Sequence, residues 1–208
     1  LRIFDADDDT ELTTDVYGNT ISPQTTDGDG KYLFSDLPPG DYYVVFDLNT
    51  VPSHLQLTTQ NVDADVSDAD DSDASPLNGQ TPSTGQIPSG GEDLSLDMGL
   101  ICILEAEAGD PAKVCGQSLL PLTELDASIT PAGLNATWSS SGDGQFVQMD
   151  ETTPDNSFDG AVYYVPGPND RQGGSVTLTL TSEAVNPCGE VSDTVTITIL
   201  NVDCGTFP

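Results

Sequence analysis

Apolar residues recur at every second position in almost every apolar run of this chain. DYYVVFDL (residues 41–48), SVTLTLTS (175–182) and DTVTITIL (193–200) show the pattern most clearly. A period of two puts one set of side chains on each face of a strand, so these runs predict half-buried β-strands. Val, Thr, Tyr and Ile dominate them, and such side chains suit a pleated surface. Gly, Pro, Asn and Asp fill the gaps, where turns need their backbone preferences. No long segment carries a helical period. The expected fold class is all-β, built as two tandem β-sandwich domains.

The composition shifts near residue 100. The chain before it is rich in Asp and holds no Cys; after it come all four Cys, the single Trp and the Thr-Val ladders. The boundary is placed at 99–103, within GLICIL, giving domains 1–100 and 101–208 with a short, strand-like linker. Two sandwiches joined this tightly predict a stiff rod. Residues 103–200 suit a seven-stranded immunoglobulin-like sandwich. LEAEAG (104–109) supplies strand A and LLPLTELDASI (119–129) contains B. ATWSS (136–140) is C, QFVQ (145–148) is C′ and AVYYVP (161–166) is E, with the two Thr-Val ladders as F and G. Trp138 then falls on strand C as a core residue.

Charge changes the picture of partners. Against 35 acids stand four Lys and Arg, a formal net charge of −31. The excess is global, with 20 acids in residues 1–100 and the other 15 beyond. Such a chain repels nucleic acid and anionic membrane, which are bound through Lys and Arg, and attracts divalent cations. Two exposed like charges ~5 Å apart repel by about 1 kcal/mol, so many pairs favour expansion unless cations intervene. Low hydrophobicity with high charge also suits disorder, but the ordered alternation argues against it here. No apolar run is long enough to span a membrane. The chain opens on LRIF, with no Met and no signal peptide, as a processed protein or a fragment would.

DADVSDADDSDASPLNGQTP (63–82) packs six aspartates into eleven residues. It reads as a disordered acidic tract, a calcium site or a catalytic cluster. Calcium takes six to eight oxygens, and Asp is a short, rigid donor. Asp68, Asp70, Asp71 and Asp73 are close enough to converge in one loop, and Asp63 and Asp65 can join them. Asp5, Asp7 and Asp9 alternate like the first ligands of an EF-hand loop, although Thr10 stands where that loop needs Gly and no Glu closes it. The expected cofactor is Ca²⁺, with an affinity of ~10⁻⁴ to 10⁻³ M as in extracellular modules.

TTDGDGKYLFSDLPPGDYYVVFDL (25–48) places Gly28 and Gly30 in a tight turn, points Leu33 and Leu37 at a core and turns again at Pro38-Pro39-Gly40. This stretch resembles the B-type repeat of Sdr-like bacterial surface adhesins, a prealbumin-like sandwich related to the Cna B-type domain. The likeness continues through ADDSDASPLNGQTP (69–82) and GGEDLSLDMGL (90–100). It implies a calcium-rigidified stalk module, and it sets Asp5 and Asp7 near the DSD loop as ligands of the same site. Repeats of that family begin with a strand and an acidic loop that precede the segment equivalent to LRIFDAD. Their absence implies an open sheet edge, closed in a fuller chain or by a neighbour through strand addition. The isopeptide crosslink of some Cna B-type relatives is not expected, because Lys31 is the sole lysine of this half and sits at a glycine turn.

Four cysteines in a secreted chain suggest two disulfides. Strand direction puts Cys102 and Cys188 at one pole, Cys115 and Cys204 at the other, which favours those two pairs. The second half, AEAGDPAKVCG … ATWSSSGDGQF … VYYVPGPND … PCGEVSDTVTITI, resembles the Ig/PKD-like repeats of large secreted proteins of Bacteroidota-type bacteria. That resemblance supports a rival pair, Cys115–Cys188. Each closure contributes roughly 4–5 kcal/mol by chain entropy. Asn135-Ala-Thr137 is a glycosylation sequon to which no role is assigned.

No catalytic motif occurs. His54, the only histidine, flanks a strand, and the acidic loops lack the aromatic subsites a glycoside hydrolase would need. The expected function is a non-enzymatic structural module of an extracellular stalk or fibre. Neighbouring domains or copies of the same chain are its partners, and the sharper form is head-to-tail polymerisation by strand donation. The alternative is an adhesin or carbohydrate-binding module with its ligand surface on the loops.

Overall fold

The computed structural model describes residues 1–60, 72–116 and 118–200. They fall into two compact units, Leu1–Ile101 and a second beginning at Cys102. Both are built almost wholly of strands, as an all-β fold requires. Among the described residues no helix is long and apolar enough to cross a membrane.

In the first unit, β1 (Arg2–Asp5) pairs antiparallel with β2 (Tyr42–Val45), Ile3 opposite Val44. The other edge of β2 is covered by residues 79–87: Phe46 donates to the Gly79 carbonyl, Thr81 to Val44 and Thr84 to Tyr42. Being central, β2 is buried on both faces rather than one. Tyr42, Tyr43 and Val44 are all buried, and Tyr43 stacks on Phe4 with centroids 5.2 Å apart. β3 (Leu55–Leu57) pairs with β4 (Leu100–Cys102). The core is small: Val44, Phe46 and Ala74, with Tyr32, Phe34, Leu57, Leu96 and Met98 packed against it.

One expectation for this unit needs correction. Leu33 does not point at the core; it is 63% exposed, and its neighbours Tyr32 and Phe34 point inward instead. A period of two forces that choice, and the core took the aromatic pair. The outer edge of β1 is paired. Leu1 exchanges both backbone bonds with Gln24, the Ile3 carbonyl accepts from Leu12, and Asp5 donates to Thr10. Among the described residues, Tyr32–Ser35 and Leu94–Leu96 make no backbone–backbone hydrogen bond, although Ser95 N–H donates to the Asp93 carboxylate and the Leu96 carbonyl accepts from Tyr32.

The second unit is a sandwich around one continuous core. Its larger sheet has β6 (Lys113–Cys115), β13 (Ser192–Leu200), β12 (Ser175–Ser182) and β9 (Ala136–Ser140) in that order, with β6 parallel to β13. On β12, Val176, Leu178 and Leu180 are buried while the Thr residues between them face outward. Leu180 sits opposite Trp138, which is 2% exposed, as expected of a core Trp. The other layer contains β5 (Glu105–Glu107) paired with β8 (Ser128–Thr130), and β10 (Gln145–Val147), β11 (Tyr163–Val165) and β7 (Leu120–Pro121) in that order.

Three details differ from the seven-strand reading. QFVQ pairs with β11, not with β9, and so joins the opposite sheet. The B region is broken by a 3-10 turn, Leu122–Leu125, whose flanking halves pair with β11 and β5. Cys115 ends a short strand beside β13 instead of opening B. The first strand is thus split between sheets, and the split occurs at Gly109. Its φ is +85°, and a Cβ there would collide with the Leu125 carbonyl, so glycine is required.

Candidate functional site

The acidic segment leaves the described fold at Gln60 and returns at Ser72. A bridge joins these two residues, and the Gln60 amide donates to the Asp73 carbonyl at 2.7 Å. Asp63, Asp65, Asp68, Asp70 and Asp71 lie outside the described residues. Asp73 does not: it is 1% exposed, between buried Ser72 and Ala74. Burying a carboxylate is costly unless hydrogen bonds or charge compensate. Here the compensation is reciprocal, since Asp97 N–H donates to Asp73 Oδ2 at 3.1 Å and Asp73 N–H to Asp97 Oδ1 at 3.4 Å. Ala74 N–H donates to the Asp97 carbonyl, and Gly99 N–H to Ser72 Oγ. The base of the acidic loop is therefore laced to residues 97–99. Burial, followed by the carboxylates of Asp73, Asp97 and Asp93, pushes the Tyr32 hydroxyl well above its usual range. That hydroxyl donates to the Leu96 carbonyl at 2.7 Å. Asp97 drew no notice in the sequence because its acidic neighbours are far away in the chain; only the fold brings it to Asp73.

Asp5 and Asp7 lie in a different kind of turn. Asp5 Oδ1 accepts from Asp7 N–H, and Asp8 Oδ1 from Thr10 N–H. Asp9 adopts the left-handed conformation that a turn often assigns to Gly, Asn or Asp. These carboxylates close their own backbone. Among the described residues no three of His, Cys, Asp and Glu gather as metal ligands do.

Beside the Asp73–Asp97 pair lies a cleft of about 500 Å³, lined by Tyr32, Phe34, Leu37, Tyr42, Val44 and Leu96 among others. Lys31, Asp93 and Asp97 also border it. His54 is half-buried just before β3.

In the second unit, Cys102 and Cys188 form a disulfide with Cα atoms 5.7 Å apart, one of the two expected pairs. The rival Cys115–Cys188 is thereby ruled out. Cys115 is also disulfide-bonded; Cys204, its expected partner, lies outside the described residues. The acids of this unit serve structure. Buried Asp170 sits in a short helix, α1 (Pro168–Gly173), that sequence patterning did not predict. Its Oδ2 accepts from the Tyr164 hydroxyl at 2.6 Å and from Gly167 N–H at 2.9 Å. Burial raises the Asp170 pKa, but these bonds and those from Asp143 and Gly144 outweigh it, leaving the group below the usual carboxylate range.

Comparison with known proteins agrees with the geometry of the first unit. Residues 9–100 match the family model described as SdrD B-like domain. A "Fibrinogen-binding protein" of Staphylococcus epidermidis is 49% identical over 57 residues, 27% of this chain. Those residues span only 5% of that protein's length. No solved structure matches. The match across residues 9–100 places the first unit with SdrD B-like domains, B-type repeats of the Sdr kind.

Proposed function

We propose that the chain is a non-enzymatic structural module of a bacterial cell-surface or secreted stalk, with Ca²⁺ stiffening its first unit and disulfides its second. The match of residues 9–100 to the SdrD B-like family carries this reading. The donor set supports calcium. Asp73 is buried at the foot of a segment holding five further aspartates, and Asp97 lies against it, so every oxygen on offer suits a hard cation. The net charge of −31 keeps such a module soluble and away from nucleic acid.

Chelation tests it. EDTA at low salt is expected to lower the melting temperature of the first unit and leave the second unchanged. Calcium at a hundredfold excess over Kd adds about 2.7 kcal/mol. Asp73→Asn, which preserves shape, should abolish the calcium response. A melting curve indifferent to EDTA would remove calcium from the reading. In the sharper form, copies polymerise head to tail by strand donation; regular filaments of the purified chain in electron micrographs would support it, and uniform monomers would reject it.

A second reading is an adhesin module, favoured by the name of the S. epidermidis relative. Surface plasmon resonance against immobilised fibrinogen separates the two. A pure stalk module gives no saturable response.

A further inference from the structure

We propose that the Cys102–Cys188 bond carries tension past the core of the second unit, so that a pull along the chain loads β13 alone and the unit does not lengthen. The inference rests on the stalk reading for its role, since only a module held at both ends is pulled.

The covalent path sets where force runs. The second unit begins at Cys102, whose sulfur is bonded to Cys188 at a sequence separation of 86. Tension arriving along the chain from the first unit crosses there from Cys102 to Cys188. Residues 103–187 then lie in a closed loop beside the line of force. Among the described residues, that loop holds every strand from β5 to β12, Trp138 included.

Beyond Cys188 the loaded chain passes Gly189, which exchanges both backbone bonds with Val185, and enters β13 at Ser192. The nine residues of β13 are already extended at ~3.3 Å each, close to the ~3.3–3.6 Å that a fully stretched residue spans. Pulling this strand at its two ends adds almost no length. It does not slide the strand past its neighbours either, because sliding needs load on two strands at once. β12 pairs along one side, from Ser175 opposite Thr198 to Thr181 opposite Ser192, and β6 pairs along the other. Neither of them is pulled.

Without the bond, the same pull enters by the shortest elements. It reaches β5 first, three residues paired with β8, and then β6, three residues paired with β13. β6 runs parallel to β13, so load at the start of one and the end of the other shears a short ladder. Once the ladder gives way, a loop of this separation can extend by ~300 Å. Cys102 is exposed and Cys188 half-buried, so a thiol reaches the bond from solvent.

The test is single-molecule force extension of the full chain, held by handles before Leu1 and after Pro208. Without reductant the trace should show one large step, on the order of 350 Å, from Leu1–Ile101. Dithiothreitol should add a second large step, ~300 Å or longer. Cys115→Ser with Cys204→Ser removes the other two cysteines and should leave both traces as they are. Cys102→Ser with Cys188→Ser should lengthen the trace without reductant, by tens of ångström or more. A second large step without dithiothreitol, in the wild type or in the Cys115/Cys204 variant, would overturn the proposal. So would a single step in the presence of dithiothreitol, because the core and not the bond would then resist the pull. An unlengthened trace of the Cys102/Cys188 variant would overturn it as well. The step count uses neither calcium nor fibrinogen, so its failure is read separately from failure of the stalk reading.

Discussion

Sixteen buried residues from Ala108 to Ile199 form one core in the second unit, while the corresponding cluster of the first holds three, Val44, Phe46 and Ala74. The units are of similar length, so chain length does not explain the difference. Alternation does. In the second unit, β12 and β13 run eight and nine residues and each buries three apolar side chains on one face, and β9 adds Trp138 to the same layer. In the first, strands are three or four residues long and an open cleft replaces part of the core. Where area cannot be buried, stability has to come from elsewhere. In the function proposed above, a cation at the acidic loop, whose base is tied to Asp97, supplies it. The second unit needs no such help and uses its acids as hydrogen-bond acceptors.

Breaking the Cys102–Cys188 bond should have the largest effect. It closes a loop of sequence separation 86, worth about 4–5 kcal/mol by chain entropy as an upper figure. Cys102→Ser with Cys188→Ser should lower the melting temperature of the second unit in calorimetry and leave the first in place. Next, Trp138→Ala should cost about 3–5 kcal/mol, because the ring is 2% exposed and belongs to the main core cluster. Phe46→Ala should fall at or below the low end of that range, since its buried cluster is small and Tyr32, on which its ring packs, lines an open cleft and can move. Equal costs in urea titrations would mean that the two cores are not different in kind.

The smallest effect concerns acid. Asp170 has a folded-state pKa below its unfolded value, so its contribution is complete above about pH 4 and is lost as pH falls through the folded-state value. Asp170→Asn should remove about 1.5–3 kcal/mol at neutral pH, because an amide N–H would face the Tyr164 and Gly167 donors. It should also flatten the acid limb of the second unit's stability curve. An unchanged slope between pH 4 and pH 2 would show that Asp170 does not titrate with unfolding.

The alternating pattern by itself determined the strands β9, β12 and β13 of the second unit, the burial of Trp138 and the pole shared by Cys102 and Cys188. Those features depend on period and strand direction, which are local. The sequence also marked the turn at Gly30, where φ is positive; at Gly79, where φ is positive too, a Cβ would meet the Phe46 carbonyl. Tertiary structure decided what depends on neighbours distant in the chain. It moved QFVQ to the other sheet, turned Leu33 out in favour of Tyr32 and Phe34, and buried both faces of β2. It set Asp97 against Asp73 across 24 residues. A period of two specifies which residues share a face. Which face meets the core, and which edge stays unpaired, is settled only when the sheets close around one another.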